Sequence, residues 1–299
     1  DHKGGLSESF FLDKGENGVW ILTIDKNLTG KYYTYSVEGF DSSYRPEIEV
    51  IDPYAKAVTR HVGRALIIND QTLVTDSPVF PFKEAMIYEM HVRDFTIASN
   101  SGVRNKGMYL GFTEEGTTFP GTNIATGIDH LTDLGINTIQ LMPIQDFEHN
   151  DSKYFWGYMP VNFNSPDGWF ATKTEDGSMI REFKQLVSAL HKKGIKVVMD
   201  VVYNHTSEGS PNVRYNFNGL IPNFYYRQHI DGSYWNGSGC GNEVRSENLM
   251  VRRFIVESLK YWVEEYKIDG FRFDLMGLHD MDTMREIVQT LRQIKPDIF

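Results

Sequence analysis

The chain has 299 residues, 40% apolar and 23% charged, enough to bury a core and to build more than one domain. A formal net charge of -10 argues against nucleic acid as a partner, since that recognition rests on clustered Lys and Arg, and leaves a neutral or cationic ligand. No apolar run is long enough for a membrane-spanning helix, and the single cysteine, Cys240, rules out an internal disulfide framework and a cysteine-rich zinc site. The N-terminal DHKGGLSESF has no basic-then-apolar leader pattern, and the compartment, cytoplasmic or secreted, stays open.

The first predicted elements are short β-type runs: GVWILTI (18–24), KYYTYSV (31–37), EIEVID (47–52) and RALII (64–68), with DKNLTG (25–30) reading as a hairpin connection. They predict an all-β module over residues 1–82. From residue 83 onward strands alternate with amphipathic helices, the pattern of βαβ units on a parallel sheet. The strands fall at 85–92, 137–142, 195–202 and 268–275. Thr126 and Asp129 form a candidate capping box for a first helix stopped by Gly135. Ser178 opens a second, with Phe183, Leu186, Val187 and Leu190 on one face and Gly194 at its end. Ser246 opens a third, with Val251, Phe254, Ile255, Leu259, Trp262, Val263 and Tyr266 at helical spacing. A fourth runs from Asp282 to about Ile294, before Pro296.

Strand-to-helix connections are long and helix-to-strand connections short, so the extra chain collects at the C-terminal end of the strands, where parallel α/β folds build their sites. Those loops hold two aromatic groups, Tyr154, Phe155, Trp156 and Tyr158, then Phe224, Tyr225, Tyr226, Tyr234 and Trp235. Exposed rings interleaved with Asn, Asp and Gly suit a flat, hydroxyl-rich ligand.

The segment FRFDLMG (271–277) puts Arg272 and Asp274 on one face of an otherwise buried strand. Two charges there read either as a structural ion pair or as a carboxylate kept ionised for use as nucleophile or base. In DVVYNH (200–205), Asp200 sits at a strand end as a loop brace or a site residue, and Asn204 with His205 makes a weak metal motif. His91 and Asp94 in YEMHVRDF read first as structural, His149 and His229 as plain loop histidines, and Cys240 as a packed or loop cysteine.

Together YEMHVRDF (88–95), YFWGYMP (154–160), MDVVYNHT (199–206), NGSGCGNE (236–243) and YWVEEYKIDGFRFDLMG (261–277) resemble the α-amylase family of glycoside hydrolases, and within it type I pullulanases. The resemblance runs from about Ala85 to the last residue. It implies an α/β chain: the first four βα units of a TIM (β/α)8 barrel over 83–299. The segment ending in IDPYAKAV is similar to the later strands of a β-sandwich starch-binding-type module, which would be partial here and occupy 1–82.

The resemblance further implies that Asp274 is the catalytic nucleophile and that Arg272 keeps it ionised. It gives His205 a hydrogen bond to the sugar at the cleavage site, makes Asp200 a brace for that network, and stacks Tyr158 under the same sugar. Trp156 matches the debranching subgroup, whereas Met159-Pro160 departs from the Asp-Pro of pullulanases toward isoamylase-type enzymes. The expected activity is hydrolysis of α-1,6 linkages in pullulan, amylopectin or glycogen, with an α-glucan partner and neither nucleic acid nor membrane. No cofactor is required; a structural calcium, with Asn204 as a weak ligand candidate, is compatible with the family. The family's acid/base Glu follows a fifth strand, and the chain stops at Phe299 where that strand should start. On this reading the chain is a fragment, inactive alone and prone to self-association through exposed sheet edges. Competing readings are isoamylase-type debranching, a glucan branching enzyme or other transglycosylase and, in another class, a non-catalytic α-glucan-binding protein.

Overall fold

The computed structural model describes residues 7–40, 42–59, 63–149, 155–210 and 213–299. Tyr154, assigned above to the first aromatic group, lies outside them.

The N-terminal part is antiparallel, as its alternating runs predict, but its strands are only two residues long. Strand β1 (Asp13–Lys14) pairs with β2 (Trp20–Ile21), and β3 (Tyr32–Tyr33) pairs with β4 (Ala65–Leu66). Tyr35 bridges to Val50 and Val58 to Ala65. DKNLTG is therefore not a hairpin loop, because the strands on its two sides take different partners. Ile51, Ala55, Val58 and Ala65 form a small core under Tyr33. This part docks on the rest of the chain through the Tyr32 hydroxyl to the Glu175 carbonyl (2.8 Å), the Tyr54 hydroxyl to Glu257 (2.9 Å) and Lys56 Nζ 3.4 Å above the Tyr261 ring.

Four parallel strands follow: β5 (Ile87–Met90), β6 (Thr138–Leu141), β9 (Lys196–Val201) and β10 (Gly270–Phe273), neighbours in that order. Between β6 and β9 lies an antiparallel ribbon, β7 (Gln145–Phe147) with β8 (Pro160–Pro166). The helices are α1 (Val92–Thr96), α2 (Gly127–Asp133), α3 (Ser178–Lys192), α4 (Phe217–Leu220), α5 (Leu249–Tyr266) and α6 (Met281–Ile294).

The apolar stripes of α3 and α5 are buried as their spacing requires: Phe183, Leu186, Val187 and Leu190 on one, Leu259, Trp262 and Tyr266 on the other. Full burial of each such side chain contributes about 1.5–3 kcal/mol. Gly135 and Gly194 follow their helices at φ +76° and +77°, backbone that glycine adopts without penalty.

Two predicted helix starts are corrected. Thr126 precedes α2, but its hydroxyl donates to the Ser101 carbonyl, and Asp129 accepts from the Gly116 amide, so no capping box forms. Asn248, not Ser246, caps α5, accepting from the Met250 amide at 3.0 Å. Ser246 instead accepts the Asp280 amide at 2.9 Å.

Beneath the sheet, Asp269 is fully buried with three donors: His191 Nε2 at 2.8 Å, Lys295 Nζ at 2.7 Å and the Val197 amide at 2.7 Å. It joins the ends of α3 and α6 to the start of β10. His191 also contacts the Thr75 carbonyl, which ties in the connection from the N-terminal part. Replacing Asp269 by Ala leaves the Lys295 ammonium without its anion and the buried His191 ring and Val197 amide without their acceptor, and should cost about 3–5 kcal/mol in urea unfolding at neutral pH. A loss below about 1 kcal/mol would assign the cluster no role in stability.

Candidate active site

Parallel pairing puts Arg272 directly opposite Asp200, side by side on the sheet face away from the α3 and α5 cores. Arg272 Nη1 lies 3.0 Å from both Asp200 carboxylate oxygens and 2.8 Å from Asp274 Oδ1. One guanidinium thus serves two carboxylates. Asp200 is fully buried and also accepts the Tyr158 hydroxyl at 2.7 Å. Burial pushes its carboxyl up to about 6, against the pull of Tyr158 and Arg272.

Asp274 lies one residue beyond β10, and its amide still bonds the Val201 carbonyl at 3.0 Å. The chain then turns sharply: Leu275 has φ 44°, a left-handed conformation that costs a non-glycine residue and persists only where neighbours enforce it. Asn204 Nδ2 donates to the Asp274 carbonyl at 2.9 Å and approaches its Oδ2 at 3.4 Å. The other end of that amide, Oδ1, meets His205 Nδ1 at 2.6 Å, while His205 Nε2 faces the Tyr158 carbonyl at 2.8 Å. Both nitrogens of this buried ring are therefore engaged by protein oxygens, and burial pulls its pKa down.

Beside this network is a depression of about 400 Å³ lined by Phe147, Glu148, Phe155, Trp156, Tyr158 and Met159. Trp156 is 62% exposed and offers a ring face. The second aromatic group behaves otherwise. Tyr226 and Tyr234 are buried in the core, because their hydroxyls find Thr206, Glu208 and Asn218, and Trp235 is the largely exposed ring of that group.

The loop after β9 is built around Glu208, a fully buried carboxylate accepting the amides of Tyr215, Asn216 and Asn218 and the Tyr226 hydroxyl. Sequence reasoning passed over it, together with the Glu89–Gln140 pair, 2.9 Å apart across β5 and β6. The available signal for the pair was a polar residue inside each of two apolar strands. His91 is structural, as read: it caps α1 through the Asp94 amide and contacts the Phe155 carbonyl at 3.1 Å. His149 is no plain loop histidine, for it stacks on Trp169 (5.2 Å between centroids) with Nε2 3.4 Å from Asp167. Asn204 is bound at both ends of its amide, and no cluster of three or more His, Cys, Asp or Glu placed to hold a metal occurs among the described residues.

Residues 117–229 match the α-amylase catalytic-domain model. The chain is 35% identical to the pullulanase of Bacillus subtilis (strain 168), over 99% of this chain and 42% of that protein. It is 34% identical to chloroplastic isoamylase 1 of Arabidopsis thaliana, over 90% of this chain and 38% of that protein. Among solved structures it superimposes on the pullulanase from Bacillus acidopullulyticus with a TM-score of 0.91 and 41% identity, covering 100% of this chain and 37% of that one. The Paenibacillus barengoltzii pullulanase, solved in complex with maltohexaose and α-cyclodextrin, gives 0.88 and 40%, covering 96% and 46%. The chain is thus similar, over nearly its whole length, to pullulanases and isoamylases, and carries an α-amylase catalytic-domain match over residues 117–229. It spans less than half the length of these relatives.

The residues singled out in the sequence, Asp200, Asn204, His205, Arg272 and Asp274, converge with Tyr158 in one hydrogen-bonded network at the C-terminal end of the sheet, and Trp156 stands at its aromatic margin.

The Asp200 carboxyl gives the site a pH signature. A carboxyl whose pKa is higher folded than unfolded binds its proton more tightly in the fold, so its contribution to stability is present at low pH and is lost as pH rises through about 6. Wild type should therefore lose stability relative to Asp200→Asn as pH rises from about 4 to 7. Urea midpoints across that range measure it; parallel curves would refute the assignment.

Proposed function

We propose that the natural protein is a retaining glycoside hydrolase cleaving α-1,6 linkages in α-glucans such as pullulan, amylopectin or glycogen, and that this chain supplies the nucleophile side of its site. The observation that carries this is Asp274, lodged at a strand end between the Arg272 guanidinium and the Asn204 amide, next to an aromatic depression. Pullulanases at 35–41% identity and TM-scores up to 0.91 support the same reading.

In such a reaction one carboxylate attacks the anomeric carbon while a carboxylic acid about 5 Å away protonates the departing oxygen; water then resolves the covalent glycosyl intermediate. Asp274 takes the first role. Arg272 fixes its orientation by pairing with Asp274 and Asp200 together. Tyr158, anchored by its hydroxyl to Asp200, offers its ring to the sugar, and Trp156 extends that surface. His205 contributes by holding Asn204 and the Tyr158 backbone in place, with contact to the sugar as its family role. The reaction needs no organic cofactor, and calcium has no assigned part.

We read the chain as the first half of the barrel behind part of a β-sandwich module, with boundaries near 82 and 83. Phe299 already runs beside β10, its amide on the Asp269 carbonyl (2.8 Å) and its carbonyl on the Phe271 amide (3.2 Å), so a further strand fits at that edge. The acid/base Glu of the family would follow such a strand in the natural protein. Ile87 and Tyr88 are exposed on β5 at the other edge, where isolated chains would self-associate. An isoamylase-type specificity is the second reading, favoured by Met159-Pro160 and by the 34% identity to isoamylase 1.

The test is reducing-sugar release from pullulan by the natural full-length protein, with an intact mass of the enzyme. Asp274→Asn should lower kcat by about 10⁴-fold or more while substrate binding persists. Activity retained within about tenfold would remove Asp274 from the nucleophile role.

A further inference from the structure

We propose that Arg227 is a positioning residue for Asp274, holding from below the strained turn that follows it. This rests on the assignment of Asp274 as nucleophile and adds a residue outside the network already described. Arg227 belongs to a short antiparallel excursion of the loop after β9, where Gln228 bridges to Tyr234 and the Trp235 amide bonds the Arg227 carbonyl at 3.0 Å. Its side chain is 15% exposed and points back under the site.

Two stretches of chain, 243–247 and the turn at Leu278, meet on this guanidinium. Nη1 donates to the Leu278 carbonyl at 2.7 Å and to Glu243 Oε1 at 3.0 Å, and Nη2 donates to Glu247 Oε2 at 2.8 Å. Glu243 in turn receives the Gly237 amide on Oε2 at 2.7 Å, which fixes its carboxylate plane. Nη2 also approaches Ser246 Oγ at 3.4 Å, and Ser246 Oγ accepts the Asp280 amide at 2.9 Å.

The turn from Asp274 to Asp280 depends on these contacts. It opens at Leu275 in the left-handed region and makes one short turn, Met276–Leu278, closed by the Leu278 and His279 amides on the Leu275 and Met276 carbonyls. Its start is held by Asn204 and its finish by Ser246, with Arg227 gripping the carbonyl between. A left-handed leucine is kept only where its surroundings over-determine it. A charged, forked donor fixed by two carboxylates is a stiff way to do that, and lysine, a flexible single point of charge, would not reproduce it.

The experiment is Arg227→Met in the natural full-length protein, read by amide hydrogen exchange and by kinetics on pullulan and on a maltosyl fluoride, whose leaving group needs no proton. The variant should exchange amides 275–280 faster by about ten- to a hundredfold, the loss expected for one hydrogen bond from a charged donor, with α5 and β9 unchanged. It should lower kcat by about 10²-fold on both substrates with KM little altered, because a displaced nucleophile slows attack whatever the leaving group. Exchange unchanged at 275–280 overturns the proposal whether or not pullulan is cleaved. So does faster exchange spread evenly over α5 and α6, which would make Arg227 a general support of the fold. Faster exchange of the turn with kcat intact overturns it too. If wild type cleaves neither substrate, the functional reading fails, and the exchange result still decides whether Arg227 holds the turn.

Discussion

A single guanidinium between two carboxylates organises this molecule's candidate site. Arg272 sits 3.0 Å from Asp200 and 2.8 Å from Asp274, so three charges share one strand end of a parallel sheet. Removing Arg272 would leave both carboxylates, one of them fully buried, without their cation, which costs more than the pairs contribute. The surroundings accordingly converge on this group: Tyr158 donates to the fully buried acid, Asn204 to the partly buried one, and the pairing of β9 with β10 sets their spacing.

The long loops are not loose additions to the sheet. Glu208 gathers three backbone amides and a tyrosine hydroxyl inside the loop after β9. An isolated buried carboxylate would be prohibitive, and four donors satisfy it while tying together a loop with little regular structure. Glu243, Ser246 and Arg227 do the same for the stretch leading into α5. The site is thus carried by rigid strands at its base and by charge-assisted hydrogen bonds at its rim.

Much of this was legible in the sequence. The four parallel strands were found within two or three residues of their ends, since continuous apolar runs such as IKVVM admit few alternatives. Arg272 and Asp274 stood out because charge is unexpected in such a strand. What could not be read depends on contacts distant in sequence. Nothing local distinguishes Tyr226, whose hydroxyl is satisfied internally, from Trp235, which faces solvent. Thr126 and Ser246 are good cap residues by type, yet each hydroxyl has a distant backbone partner that outcompetes its own helix. Arg227 is one of thirty Lys and Arg residues, and only the fold brings it beneath Leu278.

The Asn204 amide has a mechanical consequence. Through it the Tyr158 carbonyl, the His205 ring and Asp274 form one series of bonds of 2.8, 2.6 and 2.9 Å, each link planar and stiff. Tyr158 lines the aromatic depression, so the residue that borders that space and the backbone that carries Asp274 are tied by one short series of hydrogen bonds. The seat of the tyrosine and the course of the backbone under Asp274 are therefore set by the same three bonds.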